Sequence, residues 1–178
     1  MLTNLSIPWV NISALQLIQG DLESRLAASL AQHKVPAAML WLELTESVLL
    51  DERAGDISPR LEALRSQGHQ IAIDDFGSGY SGLNLLVDYL PDVLKLDRGL
   101  IRDIQIHRPR QVVVRAIVDV CAELGIDVLA EGVETQDELR CCETLGIHLF
   151  QGYYFARPMF ESLPKVDFRR VAGLPRTG

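Results

Sequence analysis

Short apolar runs alternate with longer amphipathic stretches along most of the chain. The runs at 8–12, 39–44, 70–73, 93–96, 126–130 and 148–151 are the right length for buried strands. Between them, apolar positions recur at helical spacing over 22–33, 58–67, 83–89, 110–124 and 135–145. Gly68, Gly125 and Gly146 stand where three of these helices stop. Strands alternating with helices predict a mainly parallel sheet, either open and doubly wound or closed as a (β/α) barrel.

The polar residues favour the barrel. Nearly every predicted strand ends in a carboxylate, an amide or an ammonium: Asn11, Glu43, Asp74 with Asp75, Lys95 with Asp97, Glu131 and Gln151. An open sheet presents ligands only to the few loops near its switch point, whereas a barrel gathers all strand C-termini at one mouth. A closed barrel of this kind takes about 250 residues and eight strands. With 178 residues and about six predicted strands, the expectation is an α/β, TIM-like barrel that is incomplete at its N-terminus. Residues 1–178 read as a single domain.

The densest chemistry lies at Asp74-Asp75-Phe76-Gly77, before the glycine-rich turn Gly77-Ser78-Gly79-Tyr80-Ser81-Gly82. Adjacent carboxylates repel unless cations hold them. One aspartate alone could cap the following helix, but Glu43, Glu131 and Asn11 end neighbouring strands. Oxygen-rich clusters of this kind suit Mg²⁺ or Mn²⁺, and a shared carboxylate, here Asp74, can bridge two ions. Lys95, flanked by apolar residues, is either a snorkelling or ion-paired lysine or a cation placed to act on a phosphoryl oxygen or the attacking water. Glu134 suits the start of the next helix. Gly77-x-Gly79-x-x-Gly82, with Asp97 at the next strand end, formally matches a dinucleotide-binding fingerprint. Two carboxylates before the first glycine would face the pyrophosphate, so that reading is disfavoured.

Composition narrows the partners. The chain is 48% hydrophobic and 23% charged, with a net charge of −7, and it has no basic stripe for a nucleic-acid polymer. A small phosphate ester remains compatible if metal ions supply local positive charge. Cys121, Cys141 and Cys142 lack the spacing of a zinc site or a disulfide framework, and His33, His69, His107 and His148 lack metal-ligand spacing. The longest apolar run, 35–42, is far below the roughly 18 residues of a spanning helix. A cytoplasmic domain without membrane contact is expected.

The ordered motifs Val10-Asn11-Ile12-Ser13, Glu43-Leu44-Thr45-Glu46, Asp74 through Ser81, Lys95-Leu96-Asp97, Glu131 through Thr135 and Gln151-Gly152-Tyr153 resemble the EAL family of cyclic-di-GMP phosphodiesterases. The resemblance covers residues 7–158 and leaves 159–178 as a C-terminal tail. It implies Asn11, Glu43 and Asp74 on one metal and Asp74 and Asp75 on the second, with Mg²⁺ or Mn²⁺ as cofactor. It also implies Lys95 and Glu131 acting with Asp75 on the second metal and the nucleophilic water, and Gln151 and Asp97 contacting substrate. Thr45, Glu46 and Glu134 would be loop-stabilising, the first two holding 76–81, a loop that in the family couples substrate, metals and dimerisation. The implied reaction hydrolyses one phosphodiester of cyclic di-GMP to linear pGpG. A homodimer and an upstream sensory domain or protein partner are the implied associations.

The family's Glu-Ala-Leu segment belongs on a first strand upstream of Asn11, and its glutamate is a further metal ligand. Glu62-Ala63-Leu64 sits on an amphipathic helix and is a coincidence. Ser78 and Leu100 replace the family's common threonine and phenylalanine. Two readings therefore stand: a phosphodiesterase domain impaired without its first strand, or a non-catalytic module that binds cyclic di-GMP or a protein partner.

Overall fold

The computed structural model describes residues 8–18, 21–49, 57–79 and 83–157. Tyr80, Ser81, Gly82 and the tail at 159–178 lie outside the described residues. Among the described residues, six strands form one sheet: β1 (Trp9–Asn11), β2 (Trp41–Thr45), β3 (Gln70–Phe76), β4 (Val93–Leu96), β5 (Asp127–Ala130) and β6 (Leu149–Phe150). They lie in chain order, and each neighbouring pair is parallel. Sequential order without a reversal is the winding of a (β/α) barrel rather than of a doubly wound sheet, which needs a switch point.

The crossovers are helical. They comprise α1 (Ala14–Ile18), α2 (Leu22–His33), α3 (Glu46–Leu49), α4 (Ser58–Ser66), α5 (Asn84–Tyr89), α6 (Arg98–Ile101), α7 (Arg108–Leu124) and α8 (Gln136–Thr144), with short 3₁₀ turns at Ala37–Met39 and Ile104–Ile106. The longest, α7, buries Val114, Ile117 and Cys121 on one stripe and stops at Gly125, whose φ of 72° supplies the left-handed cap. Among the described residues, no helix is long and apolar enough to cross a membrane.

Period-two alternation sorts the strands into two faces. Leu42, Leu44, Ile71, Ile73, Leu94, Leu96, Val128 and Ala130 point outward into the main core beneath the helices. The opposite face carries a smaller cluster of Ala72, Val93 and Leu129, packed by Trp9 and Trp41. Register places Asn11 beside Glu43, Glu43 beside Ala72 and Lys95 beside Leu129. Asn11, Glu43 and Lys95 therefore share the inner face with this apolar cluster. β4 is buried along its whole length, as expected for a central parallel strand covered on both sides.

The strand and helix expectations hold, with shifted ends. Met39 belongs to a 3₁₀ turn rather than to β2, and β3 runs on through Phe76, so Asp74 and Asp75 lie within the strand rather than past it. α1, α3 and α6, each five residues or fewer, are too short to show a helical period.

Candidate metal centre

Alternation along β3 would send Asp74 and Asp75 to opposite faces of the sheet. The β3–β4 register shifts between Ile73 and Phe76, and Asp75 adopts a φ of +57°. This bulge re-aims the second aspartate. As a result, one carboxylate oxygen each from Asp74, Asp75 and Glu131 lie within 4.8 Å of one another. The left-handed conformation is uncommon for a residue with a side chain, and such backbone strain persists where the surroundings over-determine it.

Lys95 organises the cluster. Its Nζ lies 2.6 Å from Glu43 Oε1, 2.9 Å from Asp74 Oδ1 and 2.7 Å from Glu131 Oε1, and 5.3 Å from the centre of the Trp9 ring. The lysine is 3% exposed and Glu43 6%, so these charges are largely out of water and depend on one another. Burial alone would lower the lysine pKa, but hydrogen bonds to Glu131, Glu43 and Asp74 outweigh it and hold the pKa above its ordinary value. The three carboxylate partners thus favour the ammonium form of Lys95.

The pKa values of Asp75 and Glu131 are raised as well, which for a carboxylate favours the neutral form. Burial, followed by the neighbouring Asp74 and Asp97 carboxylates, raises the pKa of Asp75. Burial also raises Glu131, against the pull of Lys95. Negative charge is therefore in excess at the mouth of the sheet. The cluster is all hard oxygen, which suits divalent ions of the Mg²⁺, Mn²⁺ and Ca²⁺ type rather than zinc.

The other expected residues divide. Asn11 is exposed on the edge strand beside Glu43. Glu46, 4% exposed, accepts a hydrogen bond from the Gly77 backbone N–H at 3.4 Å, and its other oxygen packs against Gly79. It therefore contacts the loop after β3. Thr45 instead pairs its hydroxyl with Ser47 at 2.9 Å. Asp97 caps α6, accepting from the Gly99 N–H at 2.7 Å. Glu134 pairs with Arg98 at 2.8 Å. Asp75, Asp97, Glu131, Glu134 and the exposed Gln151 line a common cleft of about 340 Å³.

Sequence reasoning passed over Glu138. Its buried carboxylate accepts from the backbone N–H groups of Asp103, Glu134 and Thr135 at 2.9–3.0 Å, while Thr135 closes a capping box on it. It clamps the loop after β5 to the segment after β4, two of the segments that line the cleft. The signal was available as Thr135-x-x-Glu138. Trp9 under Lys95 and Arg98 in the cleft wall were also missed. Only the alternation Trp9, Asn11 points to the former.

Comparison with known proteins places this arrangement. The EAL domain family matches residues 3–158. Among curated relatives, the cyclic di-GMP phosphodiesterase PdeR of Escherichia coli is 39% identical over 90% of this chain and 24% of its own. The blue light- and temperature-regulated antirepressor BluF of the same organism is 32% identical over 88% of this chain and 39% of its own. Among solved structures, Klebsiella pneumoniae BlrP1 with calcium and cyclic di-GMP superposes with a TM-score of 0.85 at 36% identity, covering 92% of this chain and 41% of that one. A manganese and cyclic-di-GMP complex of BlrP1 gives 0.79 at 40% identity, covering 84% and 38%. The chain spans about a fifth of the length of the first curated relatives it matches. The ordered motifs, the sequentially wound parallel sheet and the extent of the match lead to one assignment: the chain belongs to the EAL domain family.

Proposed function

We propose that this domain hydrolyses one phosphodiester of cyclic di-GMP to linear pGpG with divalent metal ions, in bacterial second-messenger signalling. The observation that carries this reading is the bulge-driven convergence of Asp74, Asp75 and Glu131 beside the Lys95 ammonium. Asn11, Glu43 and Asp74 would hold one ion, and Asp74 and Asp75 the second, Mg²⁺ or Mn²⁺. Bound ions would supply activated water and neutralise charge on the phosphoryl oxygens. Lys95, locked in its charged form, keeps Glu43, Asp74 and Glu131 in register and offers a fixed positive charge to the reacting phosphodiester. Glu131 and Asp75 orient the attacking water. Gln151 and Asp97 contact the ligand from the cleft wall. Thr45, Glu46 and Glu134 support the loops, Glu46 through Gly77. Similarity to PdeR and to BlrP1 bound to cyclic di-GMP supports the substrate.

The test is release of pGpG by the chain in Mn²⁺, with Asp74→Ala as control and nucleotide binding followed in parallel. Turnover lost in the variant supports the reading. Turnover that survives the substitution removes it. A version carrying a family-type first strand with its glutamate upstream of Asn11 is assayed alongside. Similarity to BluF, an antirepressor, favours a second reading: a regulatory module that binds cyclic di-GMP or a protein partner. Binding without turnover in either version selects it.

A further inference from the structure

The carboxylates of the metal centre address phosphoester chemistry and leave the bases of a dinucleotide unread. The cleft wall beyond them carries Arg98, which starts α6 directly after the Asp97 cap. Its Nη2 lies 2.8 Å from Glu134 Oε1. Its aliphatic stem lies over Gly132, where a Cβ would fall 2.6 Å from Arg98 Cγ and where φ is +66°. Only bare backbone at 132 lets the arginine lie along the wall. Three features thus place a side chain that is still 51% exposed. An ion pair of that exposure adds little to stability, so the bracing has no evident purpose in the fold.

We propose, resting on the function proposed above, that Arg98 is a specificity-determining residue that reads a guanine base, with Glu134 orienting it. A guanidinium donates two parallel hydrogen bonds to guanine O6 and N7, the commonest base contact an arginine makes. The Glu134 and Asp97 carboxylates beside it suit the N1–H and amino donors of the same base. Tyr153, half-exposed and capped on its ring by Arg157 at 4.7 Å, offers an aromatic surface on the same cleft. Adenine places an amino group where guanine has O6, so donor would face donor. A phosphate-binding arginine would be indifferent to that exchange.

Calorimetric titration of cyclic di-GMP and cyclic di-AMP into the full chain with Ca²⁺ separates these cases. Arg98→Met is expected to weaken cyclic di-GMP roughly 10- to 100-fold and leave cyclic di-AMP unchanged. Arg98→Lys is expected to lose the same preference, because a point charge lacks the fork. Glu134→Gln should lose part of it. Circular dichroism and Mn²⁺ affinity should match wild type throughout. Equal weakening of both nucleotides in Arg98→Met, restored in Arg98→Lys, would assign the arginine to phosphate and overturn the proposal, as would full retention of the preference in Arg98→Met. A wild-type chain that binds neither nucleotide would remove the proposed function itself.

Discussion

Asp75 concentrates the conflict between folding and chemistry in one side chain. It holds a left-handed φ, and its carboxylate sits partly buried against Asp74, which pushes its pKa up. Strain of this kind costs about 1–3 kcal/mol, and like charges add to it. Replacing Asp75 with Asn keeps a side chain that tolerates the left-handed region while removing the charge. The expected outcome is a fold more stable by about 1 kcal/mol, because the repulsion from Asp74 and Asp97 is removed while the backbone conformation is kept. Urea midpoints measure it, and Mn²⁺ affinity should fall in the same protein. A variant that binds Mn²⁺ as tightly as wild type would show that Asp75 is not a ligand. Lys95 is the converse case. Its ammonium compensates carboxylates on two strands, β2 and β3, and in the loop after β5, so removing it would leave charge out of water without a partner.

Between elements, Glu138 does the joining. It starts α8, yet its carboxylate reaches the Asp103 N–H after α6 and the Glu134 and Thr135 N–H groups before its own helix. Burial works against its ionisation, but these backbone donors win and hold its pKa below the ordinary value of about 4.5. A depressed folded pKa contributes stability that is present above the unfolded value and is lost as pH falls through the folded one. Glu138→Gln should therefore lose about 1–3 kcal/mol near neutral pH and show a shallower loss below about pH 4.5. Urea unfolding at several pH values checks this, and parallel curves for the two proteins would mean the carboxylate charge contributes nothing. The same region shows what the sequence discloses. Strands β2 to β5 were legible because parallel, doubly buried strands read as short continuous apolar runs, and α7 because its stripe is long and ends at Gly125. The bulge that turns Asp75 toward Asp74 was not, since a bulge leaves no trace in hydrophobic period. Nor was α6, four residues long, which is held by the Asp97 cap and by tertiary contacts.

For the whole molecule, the inner face combines an apolar cluster of Trp9, Trp41, Ala72, Val93 and Leu129 with the carboxylates of the candidate metal centre, within a chain of net charge −7. The carboxylates Glu43, Asp74, Asp75 and Glu131 come from β2, β3 and the loop after β5. In the unfolded chain these groups are far apart and have little affinity for a cation, so ion binding is linked to folding. A ligand that binds only the folded state stabilises it by about 2.7 kcal/mol at 100 times its dissociation constant. For a chain of this length each kcal/mol moves the melting temperature by about 2–4 °C. Saturating Mn²⁺ should therefore raise the midpoint by about 5–10 °C, followed by far-ultraviolet circular dichroism. Asp74→Ala should abolish most of the shift, because Asp74 is the carboxylate shared between both proposed sites. Sodium at equal ionic strength should give little, since screening a net charge is weaker than direct coordination by Glu43, Asp74 and Asp75. If Asp74→Ala shifts as far as wild type, the ion binds elsewhere on the acidic surface and the proposed centre is wrong.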